Sequence, residues 1–213
     1  MGLNGSVRPP GEYRIGVFGG AFDPPHHAHV ALASAAITQF ELDSLHVIPT
    51  GQAWHKARAL SAAEHRLAMT KLAFQDKSKV VIDERELQRT GPTFTIDTLE
   101  ALQTQNPLAK LYLFMGADQF SAFQQWRRWQ DILELAIICI AARTDSAWAK
   151  GQFDDYPGRS SRFAVLEMPP LTVSATQIRQ LIASRAVGPD DLAQLVSKPV
   201  ARYISLHRLY GAP

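Results

Sequence analysis

The run Phe18-Gly19-Gly20-Ala21-Phe22-Asp23-Pro24-Pro25-His26-His27-Ala28-His29 gathers residue types that could handle phosphate. Two consecutive glycines let a backbone come close to a phosphate, where a Cβ would stand in the way. His26 and His29 are three apart, so on a helical turn they share one face. From there two imidazoles could donate hydrogen bonds to phosphate oxygens as negative charge builds. The free N–H groups and positive dipole end of a helix starting here would favour the same anion. The residues alone leave two other readings open. One is a surface accident. The other is a metal site, since Asp23, His26, His27 and His29 are all ligand types. The chain has no Walker-type GxxxxGK[ST] string, so a phosphate cradle here is not of the P-loop kind.

A second set stands near the other end of the chain. Val173-Ser174-Ala175-Thr176-Gln177-Ile178-Arg179 precedes a helical pattern. Hydroxyls, free N–H groups and a guanidinium gathered in one turn make a strong phosphate site. Read alone, Ser174 or Thr176 could equally cap an ordinary helix that carries Arg179 on its surface.

The elements that must position these sets follow from the apolar pattern. Short β-type runs at 14–18, 45–49, 80–82, 111–115, 136–141 and 163–166 alternate with helical patterns. The helices are expected at 30–40, 62–74, 95–105, 174–183 and 199–207, with another closing at 132–135. Alternation of this kind implies parallel strands joined by right-handed crossovers. The nearly continuous apolar strands fit a sheet buried on both faces by helices. The fold class is therefore α/β, in a single domain. A parallel sheet places its ligand site at the carboxyl ends of the strands, and the first motif directly follows the first strand. Residues 1–12, with Gly2, Gly5, Pro9, Pro10 and Gly11, read as a flexible leader, leaving 13–213 as the domain. Residues 144–161 read as a long surface loop.

Bulk composition bounds the rest. With 213 residues, 46% of them hydrophobic, the chain can bury one sizeable core. The net charge is +2, and no basic stripe extends beyond the pair Arg127–Arg128, which reads as a solvated helix face. A nucleic-acid partner is not expected. The single cysteine, Cys139, lies in an apolar run, which excludes an intrachain disulfide and a cysteine-based zinc site and suits a buried core thiol. No apolar run approaches the ~18–20 residues of a membrane span, and the N-terminus lacks an apolar signal core. The expectation is a soluble, cytoplasmic protein with no membrane partner.

Taken whole, the string from Phe18 to His29 resembles the GGxFDPxHxxH signature of the nucleotidylyltransferase superfamily, whose members have a Rossmann-like fold. The Val173–Arg179 string resembles the ISxTxIR element of the same superfamily, with Val173 in place of isoleucine. Between them, Glu86-Leu87-Gln88-Arg89-Thr90-Gly91-Pro92-Thr93-Phe94-Thr95-Ile96-Asp97-Thr98-Leu99 looks like the ELxRxxPSYTxxTL stretch of bacterial nicotinate mononucleotide adenylyltransferases. Leu113-Phe114-Met115-Gly116-Ala117-Asp118 resembles their strand-end GxD element, and Trp54-His55-Lys56 their PPHK-like loop. Trp126 falls where that family has a tryptophan beside the pyridine ring. Pro199-Val200-Ala201-Arg202-Tyr203-Ile204 resembles its closing helix. The likeness runs over residues 14–210. The chain departs from the pattern at Ala21, usually threonine, at Ala28, usually glycine, at Ala53-Trp54 before His55, and at Arg127, usually tyrosine.

The resemblance implies an enzyme that joins the AMP part of ATP to nicotinate mononucleotide, giving deamido-NAD and pyrophosphate. By it, His26, His29 and Arg179 are catalytic. ATP is bound by Gly19, Gly20, Phe22, His26, His29, Gly116, Asp118, Ser174, Thr176 and Arg179. The mononucleotide is bound by His55, Lys56, Thr95, Trp126 and Arg127. Mg2+ would bridge phosphates and use few protein ligands, so no residue is assigned to it. ATP and nicotinate mononucleotide are the expected partners, and a homo-oligomer is left open. The 5′-phosphate is already a competent nucleophile, so catalysis can be mainly positioning and charge stabilisation.

Plainer roles stand beside several of these residues. Asp118 could accept ribose hydroxyls or cap a helix. Trp126 could stack on a pyridine or pack in the core. Thr95 could bond the pyridine carboxylate or cap the helix at 95–105. His55 and Lys56 could meet an anion or lie in a solvated loop. Arg127 could stack and pair with a carboxylate or face solvent. At the level of function, three rivals remain. One is a superfamily relative acting on nicotinamide mononucleotide, phosphopantetheine or a polyol phosphate. The second is a non-catalytic nucleotide-binding module. The third is a metal-dependent hydrolase built on Asp23 and the histidines.

Overall fold

The apolar residues of the strands divide between two faces, as the period-two geometry of a strand requires. Ile15, Val17, Leu111, Leu113, Ile138 and Ile140 turn to one side. Phe18, Tyr112, Phe114, Ile137 and Cys139 turn to the other. The computed structural model describes residues 11–51, 60–143, 160–169 and 172–212. Six strands form one sheet: β1 (Tyr13–Gly20), β2 (Ser44–Pro49), β3 (Val80–Ile82), β4 (Ala109–Gly116), β5 (Ala136–Arg143) and β6 (Phe163–Met168). Their order is β3-β2-β1-β4-β5-β6 and every pairing is parallel. This is the order of a doubly wound dinucleotide-binding sheet. Val17 lies beside His46 of β2 on one flank and Leu113 of β4 on the other, so β1 is central.

Helices cover both faces. On the first, α4 (Thr95–Gln105) contributes Ile96, Leu99 and Leu102, and α6 (Trp129–Leu135) contributes Ile132 and Leu133. On the second, α1 (His27–Gln39) contributes Leu32, Ala33 and Ala36, and α2 (Ala63–Phe74) contributes Phe74. The Ala-rich face of α1 lets that helix lie close to the strands. A third cluster joins Met69 of α2 to Ile178 and Ile182 of α7 (Ala175–Ala183), Leu192 of α8 (Pro189–Leu192) and Val200 and Ile204 of α9 (Lys198–Leu206). Through α2, the C-terminal helices are thus welded to the sheet. At the β6 edge, Gln39 acts as a short surrogate strand. Its amide donates to the Val165 carbonyl (2.7 Å) and accepts from the Glu167 N–H (3.0 Å). Pairing of this kind blunts an exposed sheet edge.

The expected strands and long helices are all present, with ends shifted by a few residues. α1 starts at His27 rather than at Val30, which brings His29 into its first turn. Two further helices, α3 (Arg85–Gln88) and α5 (Ala117–Phe120), are single turns, as is α8. One turn carries too few residues for an apolar period to show. The pair Arg127–Arg128 is not a helix face. It follows the 3-10 turn Phe123–Gln125, and Arg128, at φ 53°, caps α6 and bonds Asp131 (2.6 Å) and Glu100 (2.8 Å). Cys139 is fully buried, and burial pushes its thiol up. The expected leader lies outside the described residues up to position 10, and so does the expected loop at 144–159. Residues 160–162 form a 3-10 turn.

Candidate active site

From the carboxyl ends of the two central strands the chain leaves in opposite directions. β1 leads to α1 on one face, and β4 leads through α5 to α6 on the other. Such a divergence opens a crevice. Here it holds a cleft of about 410 Å³, lined by Gly19, Gly20 and Thr50 at one wall and by Phe94, Thr95, Asp118, Trp126 and Arg127 at the other.

The first motif turns out of β1 beside this cleft. A Cβ built on Gly19 would meet nothing within 4 Å, so the glycine leaves open space at the strand end. Phe22, at φ 47°, reverses the chain, and its ring goes inward. The ring is 1% exposed and stands edge-on to Phe18 (5.5 Å) and His29 (5.0 Å). Its side chain therefore supports His29 from below and leaves only backbone for an ATP contact. His26 is the N-cap residue of α1, with extended backbone. The rings of His26 and His29 stack at 3.8 Å, as the three-residue spacing predicts. His29 Nδ1 accepts the His26 backbone N–H (3.2 Å), so the neutral ring carries its proton on Nε2 as a donor. His26 is buried. Burial, and then the neighbouring His27, pushes its pKa down to about 4, so it is a neutral ring at pH 7. Its Nδ1 is buried with no hydrogen-bond partner among the described residues. A buried polar atom of this kind is costly unless a ligand completes it.

The last motif meets the first across the fold. Ser174 caps α7 and accepts from the Gln177 N–H (3.2 Å). Arg179 donates to the Asp23 carbonyl (2.7 Å) and to Thr176 Oγ1 (3.0 Å). The guanidinium, two hydroxyls and the two imidazoles thus share one neighbourhood, although 156 residues separate Asp23 from Arg179.

Asp23 itself is 1% exposed. Its carboxylate accepts from the Tyr210 hydroxyl (2.6 Å) and the Ser61 N–H (3.2 Å). His27 anchors elsewhere: its N–H donates to the Leu195 carbonyl (3.1 Å), and its ring lies 3.4 Å from the Ala193 carbonyl. The four candidate metal ligands therefore do not converge. Among the described residues no group of three His, Cys, Asp or Glu side chains could hold a metal ion. Among the groups gathered by the two motifs, the Arg179 guanidinium, the His29 Nε2–H and the hydroxyls of Ser174 and Thr176 can donate, which matches phosphate oxygens. A divalent cation fits here as one carried on the phosphates.

At the far wall, Gly116 ends β4, and a Cβ there would come within 2.6 Å of Asp118 Oδ1. The glycine gives the carboxylate its place at the cleft. Gly116, not Asp118, is the N-cap residue of α5, and Phe94, not Thr95, is that of α4. Thr95 sits in the first turn of α4, whose free N–H groups and positive dipole end would favour an anion. Trp126 packs against the core, the plainer of its two expected roles, and also lines the cleft. Arg127 stacks on Phe94, its guanidinium carbon 4.6 Å from the ring centroid, at the cleft rim. His55 and Lys56 lie outside the described residues.

Three residues were missed by the sequence reading. Arg66 is 3% exposed and donates to the carbonyls of Ala21 (3.1 Å), Thr50 (2.7 Å) and Ser61 (3.0 Å), tying three loops around the cleft. Tyr210 holds Asp23. Glu86 lines the cleft and accepts from Thr98 Oγ1 (3.0 Å), and its carboxyl is pushed up by burial. Only Glu86 carried a signal, as the first residue of the 86–99 string. Arg66 and Tyr210 look like ordinary helix and tail residues until the chain is folded.

Comparison with known proteins gives the geometry its context. The cytidylyltransferase-like family matches residues 17–181. The chain is 52% identical over 197 residues to a probable nicotinate-nucleotide adenylyltransferase of Albidiferax ferrireducens, covering 92% of this chain and 98% of that protein. It is 37% identical to one from Methylibium petroleiphilum, covering 95% and 94%. Among solved structures it is similar to Plasmodium falciparum nicotinic acid mononucleotide adenylyltransferase complexed with NaAD, with a TM-score of 0.76, 18% identity and coverage of 95% and 99%. The same enzyme complexed with APC gives a TM-score of 0.78. At that identity the structural likeness is one of fold.

Proposed function

The chain belongs to the cytidylyltransferase-like family, and from that premise we infer that it is a nicotinate-nucleotide adenylyltransferase. It transfers AMP from ATP to nicotinate mononucleotide, giving deamido-NAD and pyrophosphate. The observation that carries the reading is the meeting of the two end motifs: Arg179 reaches the Asp23 carbonyl beside the stacked rings of His26 and His29.

In the reaction a 5′-phosphate oxygen bonds to the α-phosphorus of ATP as the bond to the bridging oxygen breaks, and the pyrophosphate takes that electron pair. No protein nucleophile is required. We assign His29 Nε2–H and the buried His26 ring to the charge that builds on the transferring phosphoryl, where fixed donors act most strongly. Ser174, Thr176 and Arg179 are assigned to the departing pyrophosphate. Gly19 and Gly20 supply close backbone approach, and Gly116 and Asp118 the ribose contact. At the mononucleotide end, Trp126 supplies a stacking face for the pyridine. The head of α4 at Thr95 and the Arg127 guanidinium supply positive charge for its carboxylate. His55 and Lys56 complete that end in the proposal. Mg2+ fits as an ion borne by the phosphates, where it would neutralise developing charge. The domain that does this is 13–213. No helix among the described residues is long and apolar enough to cross a membrane; the cytoplasmic setting is part of the proposal.

The test is turnover with ATP and Mg2+, with nicotinate mononucleotide and nicotinamide mononucleotide offered in parallel and dinucleotide and pyrophosphate followed. Preferential use of the acid is the expected result. Equal use of both would discard the account of carboxylate selection, and product from neither would discard the assignment.

A further inference from the structure

Asp23 lies in the phosphate motif, yet both oxygens of its carboxylate are engaged by the protein. Oδ1 takes the Tyr210 hydroxyl and Oδ2 the Ser61 N–H. Its backbone carbonyl takes Arg179. One residue thus links the C-terminal turn, the segment before α2 and the guanidinium assigned to pyrophosphate. Tyr210 is held in the left-handed region at φ 59°, next to Arg208 at φ 50°. Non-glycine residues occupy that region at a cost and stay there only where their surroundings over-determine them. Here the surroundings are the third hydrophobic cluster, which holds the ring, and the 2.6 Å bond to a carboxylate only 1% exposed. Burial, and then the bond and charge of Asp23, push the phenol above its usual range, so it remains a donor at any working pH. Arg66 braces the same turn through the Ala21 and Ser61 carbonyls.

We propose that Tyr210 is a positioning residue for phosphoryl transfer: its hydroxyl locks the Asp23 carboxylate, which fixes the Asp23 carbonyl that aims Arg179 at the departing phosphates. The proposal rests on the adenylyltransferase reading and adds to it a residue from outside both motifs. Tyr210 touches no substrate; it acts through Asp23 and Arg179.

The experiment is Tyr210→Phe in the full chain, which keeps the ring and removes the donor. Misplacing a positioning group by a fraction of an ångström predicts a fall in kcat/KM for ATP of roughly 10-fold or more, with KM for nicotinate mononucleotide unchanged. The same substitution in an Arg179→Ala background should add little, because the two act as one unit. Ile204→Val loosens the same helical cluster without touching Asp23 and should leave ATP kinetics at the wild-type level. Wild-type ATP kinetics in Tyr210→Phe would overturn the proposal. So would an undiminished loss in the Arg179→Ala background, or a loss that Ile204→Val reproduces. Should Tyr210→Phe fail to fold, Asp23→Leu keeps a similar shape but offers the Tyr210 hydroxyl no acceptor, and the same selective loss in ATP kinetics is expected from it. A wild-type chain that makes no dinucleotide would overturn the function, whereas an active wild type with an indifferent Tyr210→Phe overturns only this inference.

Discussion

Where the two end motifs meet, beside the cleft, Asp23 and Arg66 are almost wholly buried, His26 is buried, and bonds that cross the fold hold the turn in place. At the wall assigned to the pyridine, Asp118 and Arg127 are exposed and Trp126 is half-buried. The region where the motifs meet, assigned to the phosphates in the proposed reaction, is pre-organised by those bonds, which is what stabilising a developing charge demands. The pyridine end is a rim of side chains on short elements, set by stacking such as Arg127 on Phe94. The proposed reaction thus assigns chemistry to the rigid half, and choice of substrate to the half that can change residue by residue. The departure from the family pattern at Arg127 lies in the second half.

The largest expected effect tests the rigid half. His29→Ala removes a fixed donor and should lower kcat by about 10²- to 10³-fold, the range for losing one such group, with circular dichroism unchanged. Near-normal turnover would break the comparison at its root.

Next is the cost of keeping His26 buried and neutral. Its pKa is about 4 when folded, against 6.5 when free. Above pH 6.5 neither state binds a proton, and stability is at its full value. Between 6.5 and 4 the unfolded chain takes up a proton that the folded ring refuses, so stability falls as pH falls. The loss reaches about 3 kcal/mol at 1.36 kcal/mol per pKa unit. His26→Asn should remove that part of the slope in urea titrations between pH 7 and 4. An unchanged slope would show that another group carries it.

The open half predicts smaller, selective effects. Trp126→Ala should raise KM for nicotinate mononucleotide about tenfold, equivalent to the ~1–1.5 kcal/mol of a stacking contact, and leave KM for ATP alone. A matching rise for ATP would mean that Trp126 serves the core rather than the ring. Smallest is Arg127→Ala. A solvent-screened pair is worth up to about 1 kcal/mol, so the preference for acid over amide should fall by roughly two- to fivefold without loss of kcat. An unchanged ratio would leave the head of α4 as the selecting group.

Much of this was legible in the chain. The six strands show because each is a short apolar run alternating with amphipathic helices, and parallel order follows from that alternation. The spacing of His26 and His29 signalled their closeness, but through a helix start rather than a shared helical face: His26 is the extended N-cap residue and His29 stands three residues on, in the first turn of α1. The single-turn helices were not legible. Nor was the course of Arg127 and Arg128, which look alike in sequence. Arg127 stacks on Phe94, whereas the backbone of Arg128 turns left-handed and its side chain takes Glu100 and Asp131. Neighbours in sequence part company where partners distant in sequence choose between them.

By itself the sequence determined what depends on local order: strand and helix periods, the glycines that end β1 and β4, and the two phosphate-type strings. Only the tertiary structure decided what depends on distance. It set Arg179 on the Asp23 carbonyl, spent the Asp23 carboxylate on Tyr210 and Ser61 rather than on a metal, sent His27 to Leu195 and Ala193, and buried Arg66 among three carbonyls. The physical reason is that a polar side chain carries its bonding capacity in its sequence but not its partner. Burial makes leaving that capacity unused costly, and which partner satisfies it is settled only when the sheet and the C-terminal helices close on one another.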